Sequence, residues 1–178
     1  MKYYISPSQQ INNKYPRGNT NERAQMEAIS RILIEELSFQ DIKCKLADVG
    51  LNRESRPLQA YTTLCDFYLG IHSHGWGKGE LIGASYYGIE DDKKGINLGN
   101  LLVESLNEIS PEYPTFIDGS TLIKSDFPEL SKVKKLGMSG ILLEINFHSN
   151  KNIALWIILH KLEIAKAIAD TIIIYERK

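Results

Sequence analysis

The sequence lacks most of the features that mark specialised protein classes. It contains two cysteines, Cys44 and Cys65, which lie in apolar runs without CxxC spacing. That pattern is more typical of buried free thiols than of a disulfide framework or a thiolate metal site. No internal repeat, low-complexity stretch or linker interrupts the 178 residues. We therefore expect residues 1–178 to form a single domain that is long enough to bury a hydrophobic core.

An excess of charge and a long hydrophobic run are also missing. The 21 basic and 22 acidic residues nearly cancel, and no basic stripe indicates a nucleic-acid partner. The longest apolar segment, near the C-terminus, is interrupted by one histidine and three charged residues: His160, Lys161, Glu163 and Lys166. Such interruptions argue against a membrane span, and the N-terminus has no signal-peptide stretch. We expect a protein synthesised in the cytoplasm, with neither nucleic acid nor membrane as a partner.

What the sequence does contain is an alternation of strand-like and helix-like segments. Short apolar runs predict strands at residues 2–6, 42–47, 66–71, 83–87 and 140–145. Helical periodicity predicts helices at residues 22–37, 56–65, 94–109 and, as one long amphipathic helix, about 151–175. This alternation indicates an α/β domain with a twisted, mostly parallel central sheet flanked by helices. Residues 111–136 are harder to assign, with short strand-like pieces around Phe116 and Thr121.

Two of the predicted strands carry side chains suited to chemistry. One ends in His72-Ser73-His74, which holds two of the four histidines, and alternate residues of a strand share a side. Another places Glu144 within a run of isoleucine and leucine. A carboxylate inside a strand that is buried on both faces is costly unless it is paired or bound to a metal. These residues therefore mark the candidate site.

Polar residues follow three of the predicted strands. We expect them to lie close together, because sites in parallel sheets form at the carboxyl ends of the strands. These strand ends are residues 6–10, 72–74 and 144–148. Glu22, at the start of the first predicted helix, adds a carboxylate. Two or three histidines with one glutamate can form the open site of a catalytic zinc, and a further glutamate can act as general base. Three simpler interpretations stay open: His72 as a core histidine, His148 as a helix-cap residue and His160 as a surface or packing residue.

In their order along the chain, these segments resemble the zinc-dependent N-acetylmuramoyl-L-alanine amidases of the amidase type 3 family. Residues 66–74 resemble the family's strand ending in Ser-Ile-His-Ala-Asn, and residues 141–150 resemble its Val-Leu-Val-Glu-Leu-Gly-Phe-Leu-Ser-Asn segment. Ser6-Pro7 stands where the family has Asp-Pro, and Glu22 opens a helix after a polar loop. The resemblance covers nearly the whole chain. The family includes bacterial autolysins, sporulation enzymes and phage endolysins.

The resemblance implies a peptidoglycan hydrolase. By similarity, Glu22 and His72 would be zinc ligands and Glu144 the general base. The bond cleaved would be the amide between the lactyl group of N-acetylmuramic acid and L-alanine. Four further residues are expected to bind substrate or to support the ligands: Gln9, Gln10, Arg56 and Trp76.

One departure from the family concerns the first zinc ligand. The family has a histidine in Gly-His-Gly after the first strand, where this chain has Ser8-Gln9-Gln10. A Ser-Pro-Ser-x-Gln start with Asn-Thr-Asn-Glu opening the helix resembles a variant branch of the superfamily. The predicted replacement ligand is His148, with His74 held in reserve. Two alternatives stay open: an inactive amidase-fold module that binds muropeptide, and a related zinc peptidase that cuts the stem peptide.

The resemblance also implies where such a protein would work. The expected partner is bacterial peptidoglycan, reached at the cell wall after release or lysis. We expect no wall-binding domain within residues 1–178, and any wall-binding segment would lie outside them.

Overall fold

The protein's computed structural model describes residues 1–116 and 127–177. Within these ranges the strands are β1 Tyr3–Pro7, β2 Cys44–Leu46, β3 Phe67–His74, β4 Ser85–Gly88 and β5 Ser139–Phe147. The helices are α1 Glu22–Ser38, α2 Arg56–Thr62, α3 Lys93–Glu108, α4 Pro128–Lys135, α5 Lys151–Leu159 and α6 Lys161–Glu176.

The strands form one mixed sheet in the order β2-β1-β3-β5-β4. The pairs β1–β2, β1–β3 and β3–β5 are parallel, and β4 runs antiparallel to β5 at the edge. This arrangement confirms the predicted α/β class. Because β1, β3 and β5 are parallel neighbours, their carboxyl ends meet at one edge of the sheet, where His72 pairs in register with Glu144.

Both faces of the central strands are buried, which explains their near-continuous apolar sequences. Alternate residues of a strand face opposite sides of the sheet. Ile5, Leu69 and Leu143 belong to the larger core, which α1, α3, α5 and α6 complete. Tyr4 and Tyr68 belong to the smaller core beneath α2 and α4. The sheet is therefore covered on both faces and open to a ligand at its edges.

The predicted long C-terminal helix is wrong, because two helices, α5 and α6, stand in its place. They are separated at His160, whose backbone angles are φ −110° and ψ 30°. No glycine or proline marks the break, so the local sequence carries no signal for it. The His160 side chain is exposed and bonds to Glu163 at 2.7 Å, in agreement with the predicted surface role.

Residues 111–136 contain a helix that the sequence pattern did not predict. The strand-like piece expected at Thr121 lies outside the described residues, and Phe116 is not part of a strand. Instead α4 begins at Pro128 with Glu129 in its first turn, a combination typical of a helix start. The other boundaries differ from prediction by a few residues. The largest extension is that of β3, which continues past the predicted end to include His72 and His74.

None of the helices in residues 1–116 and 127–177 is long and apolar enough to cross a membrane.

Candidate active site

A cleft of about 190 Å³ lies at the sheet edge where the carboxyl ends of β1, β3 and β5 meet. Its lining includes residues from several elements: Gln9, Gln10, Arg53, Arg56, His72, Glu129 and Glu144. A larger groove of about 670 Å³ runs along α3 and residues 110–114, and none of the predicted site residues lines it. The concentration of titratable side chains makes the smaller cleft the candidate active site.

A buried carboxylate–imidazole pair stands beside the cleft. Glu22 is completely buried, and its Oε1 lies 3.0 Å from His72 Nδ1. Asn13 Nδ2 donates to the other carboxylate oxygen at 2.6 Å. The Asn21 side chain accepts a hydrogen bond from the Ala24 N–H at 3.0 Å, which fixes the start of α1 and so places Glu22 in its first turn.

Burial disfavours the charged form of both members of this pair, but their interaction outweighs it. Hydrogen bonds from His72 and Asn13, together with the charge of His72, leave the pKa of Glu22 below its usual value. The bond to Glu22 and the charges of Glu144 and Glu22 raise the pKa of His72. The contact between Glu22 and His72 therefore favours the ionised form of both groups.

Glu144 lies in an environment that shifts its pKa in the direction opposite to that of Glu22. It is buried on β5, and its Oε2 has no hydrogen-bond partner in the described part of the chain. Burial raises its pKa to about 8, and the charge of His72 offsets part of that effect. Two carboxyl groups near one cleft thus have pKa values displaced in opposite directions. That is the pattern by which proteins assign acid and base roles to chemically identical groups.

His148, the predicted replacement ligand, adjoins the Glu22–His72 pair through Ser73, whose backbone N–H donates to Glu22 Oε1 at 3.4 Å. It is buried, its Nδ1 is 2.8 Å from Ser73 Oγ, and its ring stacks on Tyr15 with centroids 4.6 Å apart. Ser73 Oγ also bonds to the Tyr15 hydroxyl at 2.8 Å. Burial lowers the pKa of His148, so the ring is neutral near pH 7. The structure does not join His148 by a bond to Glu22 or His72.

His74, the reserve ligand, is packed among aromatic rings. It stacks on Phe147 at 4.8 Å, and its Nε2 lies 3.3 Å from the Tyr87 hydroxyl. Burial lowers the pKa of His74 to about 4. The pairing of β3 with β5 shifts register between His72 and His74. Because of this irregularity, simple alternation along the strand does not bring the two histidines together.

Two of the predicted zinc ligands, Glu22 and His72, lie in contact. No group of three or more His, Cys, Asp or Glu side chains within residues 1–116 and 127–177 is arranged to hold a metal ion. Glu22 and His72 offer two donor atoms, whereas a catalytic zinc takes three protein ligands. Both oxygens of Glu22 are also already hydrogen-bonded. The described residues therefore bring two of the predicted zinc ligands together, and the complete zinc centre stays a prediction.

Arg56 is buried behind the cleft and holds its walls in place. Its guanidinium donates to Ser6 Oγ at 3.1 Å, to the Pro7 carbonyl and to the Leu51 carbonyl. These acceptors belong to the end of β1 and to the loop before α2. Arg56 thus joins two walls of the cleft, consistent with its predicted supporting role.

The two glutamines line the cleft, and Trp76 does not. Gln9 Nε2 donates to the Leu51 carbonyl, and Gln10 Oε1 accepts from Asn13 Nδ2 at 2.9 Å. Gln9 therefore points toward the loop and not toward Glu22. Trp76 is exposed and is not among the residues that line the cleft.

Sequence reasoning missed two charged residues of the cleft, Arg53 and Glu129. Glu129 is buried at the start of α4 and accepts a hydrogen bond from the Tyr68 hydroxyl at 2.6 Å. The Pro128-Glu129 pair is a signal for a helix start that could have located α4. No local signal places α4 over this cleft, because that depends on packing against α2 and β5.

Comparisons with known proteins identify the fold. No protein-family model matches the chain, and no curated protein sequence matches it significantly. An N-acetylmuramoyl-L-alanine amidase from Clostridium difficile 630 superposes with a TM-score of 0.82 at 17% identity, covering 99% of this chain and 97% of that chain. The amidase AmiC2 of Nostoc punctiforme gives 0.80 at 18% identity, covering 100% and 98%. The catalytic domain of the CD27L endolysin, which targets Clostridium difficile, gives 0.74 at 15% identity, covering 96% of each chain. The chain therefore has the fold of the N-acetylmuramoyl-L-alanine amidases.

We expect His148→Ala to lower the free energy of unfolding by about 2–4 kcal/mol, because it removes a buried ring and its hydrogen bond to Ser73. Urea denaturation in the presence of a metal chelator measures this loss. His160→Ala is the matched control, since that histidine is exposed, and should change stability by less than about 0.5 kcal/mol. A loss seen with zinc and absent in chelator would instead identify His148 as a metal ligand.

Proposed function

We propose that the protein is a peptidoglycan hydrolase that cleaves the amide between the lactyl group of N-acetylmuramic acid and L-alanine. The observation that carries the proposal is Glu144, a buried carboxyl with a pKa of about 8 and an unpartnered oxygen. It lines a cleft at the strand ends, where sites of parallel sheets form. The shared fold with amidases supports the choice of substrate.

Glu144 acts as the proton-transfer group in this proposal. A pKa of about 8 lies near the working pH, where a group can both accept and return a proton. The ionised carboxylate takes a proton from the attacking water, and the carboxylic acid then delivers it to the departing amine nitrogen. His72, paired with Glu144 across the sheet, supplies positive charge that favours the ionised carboxylate and the negative charge developing on the amide oxygen.

Zinc dependence is a separate part of the proposal. The resemblance implied zinc, and Glu22 with His72 could supply two of its ligands. No step above uses a metal, because the described side chains do not offer a third histidine or carboxylate ligand. Elemental analysis that finds about one zinc per chain would support the zinc-dependent form of the activity.

A second candidate function is recognition of muropeptide without cleavage. The observation that favours it is the number of donors for a metal. Glu22 and His72 supply two, whereas a catalytic zinc takes three protein ligands. A protein of this kind would bind peptidoglycan and release no product. Its cleft would then be a binding site in which Glu144 carries no reaction.

Digestion of purified peptidoglycan tests the proposal and separates its rivals. We expect mass spectrometry to find free lactyl groups on N-acetylmuramic acid and new L-alanine amino termini. New termini within the stem peptide would point to a peptidase. Binding to the peptidoglycan pellet without any product would favour the recognition module.

The setting of the activity is likewise proposed. Action on peptidoglycan places the protein at the cell wall, which it would reach after release or lysis. Residues 1–178 would act as one catalytic domain.

A further inference from the structure

Arg53 stands at the cleft on the loop that joins β2 to α2. It is exposed and lines the same cleft as His72 and Glu144. In the part of the chain that the structure describes, no ion pair or hydrogen bond engages its guanidinium. A free cation at the mouth of a candidate active site is a group that a ligand can reach.

The loop around Arg53 is fixed against the cleft. The Asn52 side chain accepts hydrogen bonds from the backbone N–H groups of Glu54 at 3.1 Å and Ser55 at 2.9 Å. Two residues before Arg53, the Leu51 carbonyl accepts from the side chains of Gln9 and Arg56. The backbone on both sides of Arg53 is therefore held, which keeps the base of its side chain beside the cleft.

Most other charged groups around the cleft already have partners. Glu22 pairs with His72 at 3.0 Å, and Glu129 accepts from Tyr68 at 2.6 Å. Arg56 is occupied by oxygens of β1 and of the loop before α2. Besides Glu144, Arg53 is the charged residue lining the cleft that has no partner among the described residues. Its positive charge therefore favours an anion at the mouth of the cleft.

We propose that Arg53 recognises a carboxylate on the peptide portion of the ligand and makes the protein prefer free carboxylates over amidated ones. This inference rests on the proposed function and names the chemistry of the substrate. A planar guanidinium matches a carboxylate through two parallel N–H···O bonds. The amide side chains of Gln9 and Gln10 line the same cleft and suit a peptide backbone. Arg53 is a specificity residue and takes no part in proton transfer.

Calorimetric titration of two matched ligands tests this role. The ligands are N-acetylmuramoyl-L-alanyl-D-glutamate and the same compound with both glutamate carboxyls amidated. The protein is the full chain carrying Glu144→Gln, which binds without turnover. We expect the carboxylate ligand to bind about three to five times more tightly, the range of an exposed ion pair. Arg53→Gln should remove that preference, and 0.5 M salt should weaken it. The control Arg177→Gln changes an exposed arginine that bonds to Gln40, and it should keep the preference.

Each result of the titration decides the inference. Loss of the preference in Arg53→Gln alone, with binding of the amidated ligand unchanged, supports it. An unchanged preference in Arg53→Gln overturns it. Equal binding of both ligands by the parent chain also overturns it and leaves the proposed function standing. If neither ligand binds, the proposed substrate class is wrong and the inference fails with it.

Discussion

Replacement of Glu144 by glutamine is expected to slow peptidoglycan cleavage by about 10²–10⁴-fold, the usual contribution of a general base. Glutamine has nearly the same shape but cannot exchange a proton. The release of L-alanine amino termini from purified peptidoglycan, followed over time, measures the effect. The matched control is Glu104→Gln, the same chemical change at an exposed position on α3, which should leave the rate unchanged.

The same substitution should alter how stability depends on pH. Below the ordinary glutamate pKa of 4.5, Glu144 is protonated in both the folded and the unfolded chain. Between 4.5 and about 8 the folded chain holds a proton that the unfolded chain has lost. The free energy of unfolding of the wild type therefore falls by up to about 1.4 kcal/mol per pH unit in this window. Glutamine has no such proton, so Glu144→Gln should gain stability relative to the wild type as pH rises from 5 to 8.

Urea denaturation of both chains at pH 5 and pH 8 measures that difference. A constant stability difference across this range would mean that Glu144 is ionised in the folded state, contrary to its burial. Retained cleavage by Glu144→Gln would show that another group transfers the proton, and Glu129 is the other carboxyl that lines the cleft.

Glu22→Ala is expected to lower the free energy of unfolding by about 3–5 kcal/mol, the cost of breaking a buried ion pair from one side. The change leaves His72 buried without its partner, and it removes the acceptor of Asn13. Urea denaturation in metal chelator measures the loss. Glu27→Ala, on the exposed face of the same helix, removes a surface pair with Arg31 and should cost less than about 1 kcal/mol.

A double-mutant cycle then separates pairing from metal binding. Because Glu22→Ala/His72→Ala leaves neither member of the pair buried without its partner, it should destabilise the chain by less than the sum of the single changes. Additive losses would argue against the ion pair. A different result would be that Glu22→Ala leaves the free energy of unfolding unchanged in chelator and lowers it only when zinc is present. That result would identify Glu22 as a metal ligand and support the zinc-dependent proposal.

Several features of the fold and site were already determined by the sequence. The apolar runs that became β3 and β5 predicted strands buried on both faces, because alternation disappears when neither face meets solvent. That burial made Glu144 stand out as a costly carboxyl, and in the folded chain burial raises its pKa to about 8. Asn21 before Glu22 predicted the start of α1 through local capping alone. Each of these conclusions depends on neighbours along the chain.

Only the tertiary structure decided which side chains meet across the chain. His72 contacts Glu22, whereas His148 lies with Tyr15 and Ser73. Arg53 reaches the cleft through a loop whose position depends on bonds to Gln9 and Arg56. Patterns of three to four residues specify the type of an element and the side that it buries. Contacts between residues fifty positions apart depend on strand order, on register shifts and on how helices pack against the sheet, and none of these is encoded in a local pattern.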